Sequence, residues 1–241
     1  MTSNEQIVKE VRAALENEPR INLHHNPVQF EFNDGIVTLT GEMSTLAAKK
    51  LAVGLAAAVP GVSRVKDRLW VKPAEAMEDG ALCDLVFDAL LQESAFNDFT
   101  LRAHIDGSEK AFRGVPRAPS GNIELVVHGG VVTLRGEVES YAHKALAEAL
   151  AWWRRGTRDV ANRLDVAHPM EDPDGEMTDA LRMLLEKDKL LDAAQIRAVC
   201  RDFTAILDGV VKKEGAKELA GSDAWYLLGV AEVVNRLQVL E

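Results

Sequence analysis

A locally basic segment lies near the middle of the chain. Lys110, Arg113 and Arg117 surround Phe112 within residues 104–122, a stretch rich in Gly, Pro and Ser. Lysine and arginine side chains pair with phosphate or carboxylate oxygens, and an aromatic ring adds apolar contact. The composition predicts a loop that contacts an anionic lipid headgroup, a phosphate or an acidic partner. The alternative is a loop that is solvated and has no ligand.

Two aromatic pairs end helical segments further along the chain. Trp152 and Trp153 precede two arginines, and Trp225 and Tyr226 occupy the corresponding place in a later helix. Adjacent helical positions point about 100° apart, so neighbouring rings cannot enter the same core. We expect the four aromatic residues to lie at an interface between parts of the chain. The alternative is an anchor at a membrane surface.

Residues for catalysis or metal binding do not form a recognisable pattern. Asp172, Asp174 and Glu176 are spaced like part of a calcium loop, but the twelfth position holds Met183 where a bidentate glutamate is required. The sequence contains no phosphate-binding glycine loop, nucleophile elbow or His-Glu-x-x-His motif. We therefore expect a protein that is not an enzyme and that has no cofactor and no metal site.

The composition excludes several classes of partner. The 241 residues carry a net charge of −10, with a sequence pI near 5.2. A nucleic-acid-binding protein usually has a basic surface, so that class is disfavoured. No stretch approaches the 18 or so apolar residues of a transmembrane helix, and the first fifteen residues lack the apolar core of a signal peptide. With only two cysteines, a cytoplasmic location is expected.

An internal repeat organises the whole chain. The sequence DGIVTLTGE at residues 34–42 matches GGVVTLRGE at residues 129–137, and the match continues without a gap at an offset of 95. A more divergent third copy follows at an offset of 168 from the first, with Phe203 at the position of the turn glycine. The structural glycines at matched positions are Gly35, Gly41 and Gly61, then Gly130, Gly136 and Gly156, then Gly209 and Gly229.

Each copy has the order helix, strand, strand, helix, strand. The first helix is amphipathic, an Asp-Gly or Gly-Gly turn joins the first two strands, and the second helix crosses over to a parallel third strand. The prediction is an α+β fold of three tandem modules, each a three-stranded mixed sheet with two helices on one face. Module 1 covers residues 1–73, module 2 covers 74–168 with the insertion 104–122, and module 3 covers 169–241. Such small units should pack on one another, at least in part.

The repeat resembles the BON domain in its element order, its Gly-[Val/Ile]-Val-Thr-Leu-x-Gly strand and its Gly-Val-x-x-Val-x-[Asp/Asn] approach to the last strand. That family occurs in osmotically inducible periplasmic proteins and in secretin-associated proteins. The resemblance implies a non-catalytic module that contacts phospholipid or another component of the cell envelope, with a link to osmotic or envelope stress. Some cytoplasmic proteins with this domain bind potassium.

Three functions follow as hypotheses. The first is contact with a phospholipid or envelope surface, the second is a cytoplasmic sensor of potassium, and the third is a scaffold for protein partners. The charge is uneven among the modules: module 1 has nine Lys and Arg against eight Asp and Glu, or +1, while modules 2 and 3 carry −5 and −6. An anionic surface should therefore meet module 1 or the basic segment.

Overall fold

The fold is α+β, as predicted. The computed structural model describes residues 4–105, 107–115, 119–168 and 172–240, and in these ranges it contains six α-helices and twelve β-strands in three sheets. The chain divides into two compact units, residues 1–72 and residues 73–241. Unit 1 contains module 1, and unit 2 contains modules 2 and 3.

Module 1 has the predicted element order. Its sheet order is β1-β2-β3, with β1 antiparallel to β2 and β3 parallel to β2. The helices bury one face of the sheet, where Val11, Leu15, Leu39 and Leu69 are at most 1% exposed. The elements are α1 (Asn4–Glu16), β1 (Val28–Asn33), β2 (Ile36–Met43), α2 (Leu46–Ala57) and β3 (Arg64–Val71).

Module 2 repeats this arrangement and extends it at one edge. Its sheet has five strands in the order β5-β4-β6-β7-β8, where β6, β7 and β8 correspond to the three strands of module 1. The elements are α3 (Asp79–Gln92), β4 (Phe99–Ile105), β5 (Ser108–Arg113), β6 (Gly121–His128), β7 (Val131–Val138), α4 (Tyr141–Trp152) and β8 (Asp159–Val166).

The insertion of module 2 differs from the loop that its composition predicts. Its first part forms a β-hairpin: β4 pairs antiparallel with β5 and parallel with β6, so the sheet has five strands instead of three. The alternation of Phe99, Leu101 and Ala103, each at most 1% exposed, places these residues in the core under the helices. The prediction of a loop was therefore wrong for residues 104–105 and 108–113, because the Gly and Ser residues mark a turn between strands.

Module 3 has the same topology with an interrupted last strand. Strand β9 pairs antiparallel with β10, while β11 and β12 both pair parallel with β10. Between them, the Arg236 amide donates to the Leu207 carbonyl. The elements are α5 (Pro173–Lys187), β9 (Ile196–Arg201), β10 (Thr204–Val211), α6 (Glu214–Tyr226), β11 (Glu232–Asn235) and β12 (Gln238–Val239).

Within unit 2, the two modules pack through their helices. Helix α4 of module 2 contacts α5 and α6 of module 3 as well as its own sheet. For this reason every residue of α4 from Ala145 to Trp152 is buried, including Glu148 at 5% exposed. Among the described residues, the main contacts between the two modules join their helices, so each of these two small modules gains core from its neighbour's helices.

A side chain from the last strand ties that strand to the second helix in module 1. Asp67 accepts a hydrogen bond from the Leu69 amide at 2.8 Å through Oδ1. Its other oxygen lies 3.4 Å from the Nζ atom of Lys49, which is 7% exposed. This pair explains why a polar residue stands at this position of an otherwise apolar strand face.

Asparagine makes the corresponding connection in modules 2 and 3. The Nδ2 atom of Asn162 donates to the Lys144 carbonyl and to Oε2 of Glu148, both at 2.9 Å. The Nδ2 atom of Asn235 donates to the Lys217 carbonyl at 2.7 Å. The Asp or Asn of the repeat motif is therefore a link between the last strand and the second helix.

Candidate anion-binding surface

Lys110 and Arg113 of the basic segment make polar contacts within module 2. Lys110 donates to the Gly80 carbonyl and pairs with Asp84, both at 2.7 Å, which connects β5 to α3. Arg113 donates from one terminal nitrogen to the Phe99 carbonyl at 3.1 Å and also to the Phe96 carbonyl. These charges hold the hairpin to the rest of the module, and less of their hydrogen-bonding capacity remains for a ligand.

Phe112 is the exposed member of the same segment. Its side chain is 52% exposed, and the guanidinium carbon of Arg102 lies 4.5 Å from its ring centroid. Arg102 also donates to Glu109 at 2.8 Å. Arg117 lies outside the described residues.

The open sheet face of module 2 carries charges of both signs. Arg102, Glu124, Arg135 and Arg163 are cross-strand neighbours on the face opposite the helices. His104 lies 3.5 Å from Glu124. Because the carboxylates lie among the arginines, this face has no separate cationic region.

Module 1 presents a different open face. In the edge strand β3, Leu69 is buried and Asp67 pairs with Lys49 of α2, so the alternate residues Arg64, Lys66, Arg68 and Trp70 lie on the face opposite the helices. We call these four residues the basic row. The three cationic side chains are exposed, and Trp70 is half-buried at the end of the row. Among the described residues, no carboxylate pairs with Arg64, Lys66 or Arg68.

The cross-strand neighbours of the three cations of the basic row are uncharged, while Glu42 lies beside Trp70 and Glu31 lies on the same face one strand further away. In the next strand, Thr38 lies beside Lys66 and Thr40 beside Arg68. The corresponding edge strand of module 2 has Asp159 and Asp165 on the same face, and that of module 3 has Glu232. The alternation Arg-x-Lys-x-Arg-x-Trp in a predicted strand is the sequence signal for this surface, which was missed in favour of the insertion.

Three of the four aromatic residues expected at an interface make contacts between modules 2 and 3. The ring of Trp152 stacks on that of Tyr226, with centroids 6.4 Å apart and planes 29° from parallel. The indole nitrogen of Trp153 donates to Oδ1 of Asp223 at 3.2 Å. Trp225 is buried at 7% exposed. The Trp pair and the Tyr226–Asp223 end of α6 thus bring the two modules together.

Further polar contacts join modules 2 and 3. The Tyr141 hydroxyl donates to the Leu228 carbonyl, and Lys187 at the end of α5 pairs with Glu93 of module 2. Burial raises the pKa of Tyr141, so its hydroxyl keeps its proton as a donor. The contact with Lys187 helps to lower the pKa of Glu93, which opposes the effect of burial.

Close backbone contact explains the strand glycine of the repeat. A Cβ atom on Gly209 would lie 2.1 Å from the Gln195 carbonyl oxygen, and one on Gly136 would lie 2.3 Å from the Asn122 carbonyl oxygen. Gly156 has no positive φ, but a Cβ atom there would lie 2.7 Å from Cβ of Met77. The predicted glycines with positive φ are Gly35, Gly41, Gly61, Gly130, Gly136, Gly209 and Gly229.

The acidic linker residues have structural partners. Asp172 caps α5 by accepting from the Gly175 amide at 3.0 Å, and Asp174 accepts from the Asp202 amide at 3.1 Å. Within the described ranges, no group of three His, Cys, Asp or Glu side chains has an arrangement that could hold a metal ion. None of the described helices has the length and hydropathy needed to cross a bilayer.

Comparison with known protein families identifies the family of this chain. The family model of the BON domain matches three times, at residues 3–73, 98–168 and 173–241. The chain therefore belongs to the BON domain family, in agreement with the resemblance seen in the repeat.

One curated relative and two solved structures are similar to this chain. Osmotically-inducible protein Y of Escherichia coli (strain K12) is 27% identical over 159 residues, which cover 66% of this chain and 70% of the relative. CdsD, a structural protein of the type III secretion system of Chlamydia trachomatis, is 16% identical. The match covers 97% of this chain and 92% of CdsD, with a TM-score of 0.25. The structure of the CdsD C-terminal domain is 15% identical and has the same TM-score. That match covers 99% of this chain and 100% of the domain. At these TM-scores neither structure informs on fold or function.

Proposed function

We propose that this chain is a non-enzymatic binding protein that docks on anionic phospholipid surfaces through the open sheet face of module 1. The observation that carries the proposal is the basic row: Arg64, Lys66 and Arg68 are exposed, side by side and without a carboxylate partner among the described residues. Unpaired cations on one flat face are suited to a surface of repeating negative headgroups.

Electrostatic attraction would orient the molecule on such a surface. Each Lys or Arg near an anionic leaflet contributes about 1 kcal/mol, so three contribute about 3 kcal/mol. Modules 2 and 3 carry net charges of −5 and −6 and are repelled. The protein should therefore approach with module 1 first, and binding should weaken as salt screens the attraction.

Trp70 gives the contact an apolar component. Its indole stands at the end of the basic row, one position beyond Arg68 on the same face. Tryptophan rings favour the boundary between headgroups and acyl chains, because one edge is apolar and the N–H is polar. The combination fits a peripheral contact at the headgroup level.

The insertion hairpin supplies a secondary contact in this proposal. Phe112 is exposed beside Arg102 on the outer strand of module 2. Lys110 and Arg113 are engaged with their own module, so their contribution would be smaller than the sequence suggests.

The link to stress rests on similarity. The chain belongs to the BON domain family, and the relative described above is named an osmotically inducible protein. We infer that this chain acts in the response to osmotic or envelope stress.

Vesicle flotation with the full chain tests the proposal. Binding is compared on vesicles of phosphatidylcholine alone and on vesicles that also contain phosphatidylglycerol. The test variant is Arg64→Gln with Lys66→Gln and Arg68→Gln. The matched control is Arg102→Gln with Arg135→Gln and Arg163→Gln, which removes the same number of charges from the open face of module 2.

The proposal expects binding to anionic vesicles only, about 100-fold weaker in the module 1 variant and largely retained in the control. Equal losses in the two variants would show that net charge alone decides binding. A wild-type chain that does not float would exclude direct lipid contact. A melting temperature that rises with potassium but not with sodium would then favour the ion-sensing function.

A further inference from the structure

The same three positions lie side by side on the open face of every module. They are cross-strand neighbours at the centre of the sheet, one on each of the three strands that the modules share. The members are Glu31, Thr38 and Lys66 in module 1, Val126, Thr133 and Ala161 in module 2, and Val199, Ile206 and Val234 in module 3.

Only in module 3 are all three residues apolar and β-branched. We call Val199, Ile206 and Val234 the apolar triplet. Val210 lies on the same face of β10, and all four side chains are half-buried, as expected for the centre of an uncovered sheet. Modules 1 and 2 show that polar residues at these positions are compatible with the fold. The core of module 3 therefore does not require the triplet.

We propose that the open face of module 3 is a self-association surface that docks on the same face of a second copy of this chain. Covering four apolar side chains on each copy would remove them from water, which is the main driving force of association. A contact that uses the same face on both copies closes as a two-fold dimer.

The charges beside the apolar triplet suit pairing with an identical face. In the next row, Arg201 and Glu232 flank Thr204 on opposite sides of β10. A two-fold axis along β10 places β9 of one copy over β11 of the other. Arg201 of each copy then faces Glu232 of the second copy, which forms two ion pairs related by symmetry.

The row on the other side of the triplet is not acidic. Arg197 and Asp208 are cross-strand neighbours there. With exposed Arg236, which follows β11 on the same face, the five charged residues beside the triplet sum to +1, whereas module 3 as a whole carries −6. This surface can meet its own copy without the repulsion that the rest of the module would impose.

The size of the face sets the strength of the contact. Three strands spaced about 4.8 Å apart offer less than the roughly 800 Å² per partner of a standard interface. The dimer should therefore be weak and dependent on concentration, with a Kd on the order of 10 μM.

Sedimentation velocity of the full chain at rising concentration tests the proposal. The first variant, Ile206→Thr with Val234→Lys, places the residues of module 1 on module 3. Its control, Val126→Thr, changes the open face of module 2. The second variant is Arg201→Glu, and its partner adds Glu232→Arg to reverse the ion pair.

We expect the wild type and the control to dimerise alike, and the first variant to dimerise at least about tenfold more weakly with an unchanged melting temperature. Arg201→Glu should weaken the dimer and the double reversal should restore it. A wild-type chain that stays monomeric up to several times the expected Kd would overturn the proposal. So would a dimer that is unaffected by the change at Ile206 and Val234.

Discussion

The indole of Trp153 and the carboxyl group of Asp223 form a hydrogen bond between modules 2 and 3, at 3.2 Å. Asp223 is 1% exposed, and its Oδ2 atom has no hydrogen-bond partner among the described residues. Burial and the nearby charge of Asp188 raise the pKa of Asp223 to about 8, against the smaller opposite effect of Trp153. At neutral pH the interface therefore contains a largely protonated carboxyl group.

The Asp223→Asn variant should be more stable than the wild type at pH 8. In the unfolded chain, Asp223 has the ordinary pKa of 3.8, whereas in the folded chain its pKa is about 8. Between these values the folded chain holds a proton that the unfolded chain has released. Raising the pH therefore favours unfolding, and the loss is complete above about pH 8. Asparagine keeps the acceptor for Trp153 and has no charge to bury.

Urea unfolding of unit 2 at pH 5, 7 and 9 measures this effect. The free energy of unfolding of the variant should lose the pH-dependent decrease that Asp223 causes in the wild type, and the difference should be smallest at pH 5. The Asp188→Asn control should show a smaller gain, because it removes only the repulsion. Parallel pH profiles for wild type and Asp223→Asn would contradict a protonated Asp223.

The strained hairpin turn of module 3 should be improved by glycine. Phe203 stands where Gly35 and Gly130 stand, with φ of +61°, and its side chain is 57% exposed. A non-glycine residue with positive φ destabilises the folded state by about 1 kcal/mol. Glycine removes this strain, but its more flexible unfolded state offsets part of the gain in stability. Phe203→Gly should therefore raise the stability of unit 2 by roughly 0.5 to 1 kcal/mol.

Thermal unfolding would register this gain as an increase in Tm of a few degrees. The Gly130→Ala variant serves as the opposite case. Its φ is +77°, and a Cβ atom would lie 2.9 Å from the Arg158 side chain, so Tm should fall. An unchanged or lower Tm for Phe203→Gly would mean that the ring makes a stabilising contact that outweighs the strain.

The repeat made most of the fold predictable. The gapless register fixed the equivalence of Gly35 with Gly130, and therefore the hairpin turns, the crossover helices and the parallel last strand. The aromatic pairs were placed at a junction between modules because adjacent helical positions cannot share one core. These inferences depend on local pattern and periodicity, which a single sequence contains.

The features that the sequence did not predict depend on contacts between residues far apart in the chain. Nothing local in residues 99–113 shows that the β4–β5 hairpin joins the sheet, because β4 pairs with β6 across about twenty residues. The partners of Arg113 are backbone carbonyls, which are invisible in a sequence. Asp223 is buried because helices from two modules pack together, so its burial and its raised pKa could not be predicted from the sequence.

Substitution of Asn162 should show why the last strand carries asparagine in module 2 but aspartate in module 1. The Nδ2 atom of Asn162 lies 2.9 Å from Oε2 of buried Glu148. In module 1 the equivalent of Glu148 is Val53, and the equivalent of Asn162 is Asp67, which pairs with Lys49. Asn162→Asp would place two carboxylates together and should cost about 2 kcal/mol or more. Adding Glu148→Val recreates the arrangement of module 1, with Lys144 as the available partner.

A double-mutant cycle by chemical denaturation tests this coupling. We expect Asn162→Asp with Glu148→Val to recover much of the stability that Asn162→Asp loses. Asn235→Ala in module 3, which loses the bond to the Lys217 carbonyl and the bond from the Leu237 amide, gives the cost of the link where no carboxylate is involved. Purely additive effects of the two changes in module 2 would show that Asn162 and Glu148 do not communicate.

Arg113 and Phe112 should separate stability from binding in the insertion hairpin. Arg113→Gln removes donors to the Phe96 and Phe99 carbonyls and should cost about 1 to 3 kcal/mol, since those groups would lose a charged partner. Phe112→Ser alters a side chain that is 52% exposed and should change stability by less than about 0.5 kcal/mol. Tm and vesicle flotation are measured together on both variants.

The two readouts should move in opposite ways. Phe112→Ser should reduce flotation on anionic vesicles modestly at an unchanged Tm, while Arg113→Gln should lower Tm and leave flotation near wild type below the transition. Loss of flotation in a stable Arg113→Gln variant would make the guanidinium a ligand contact. The hairpin of module 2 would then be a second anion-binding contact besides the basic row of module 1.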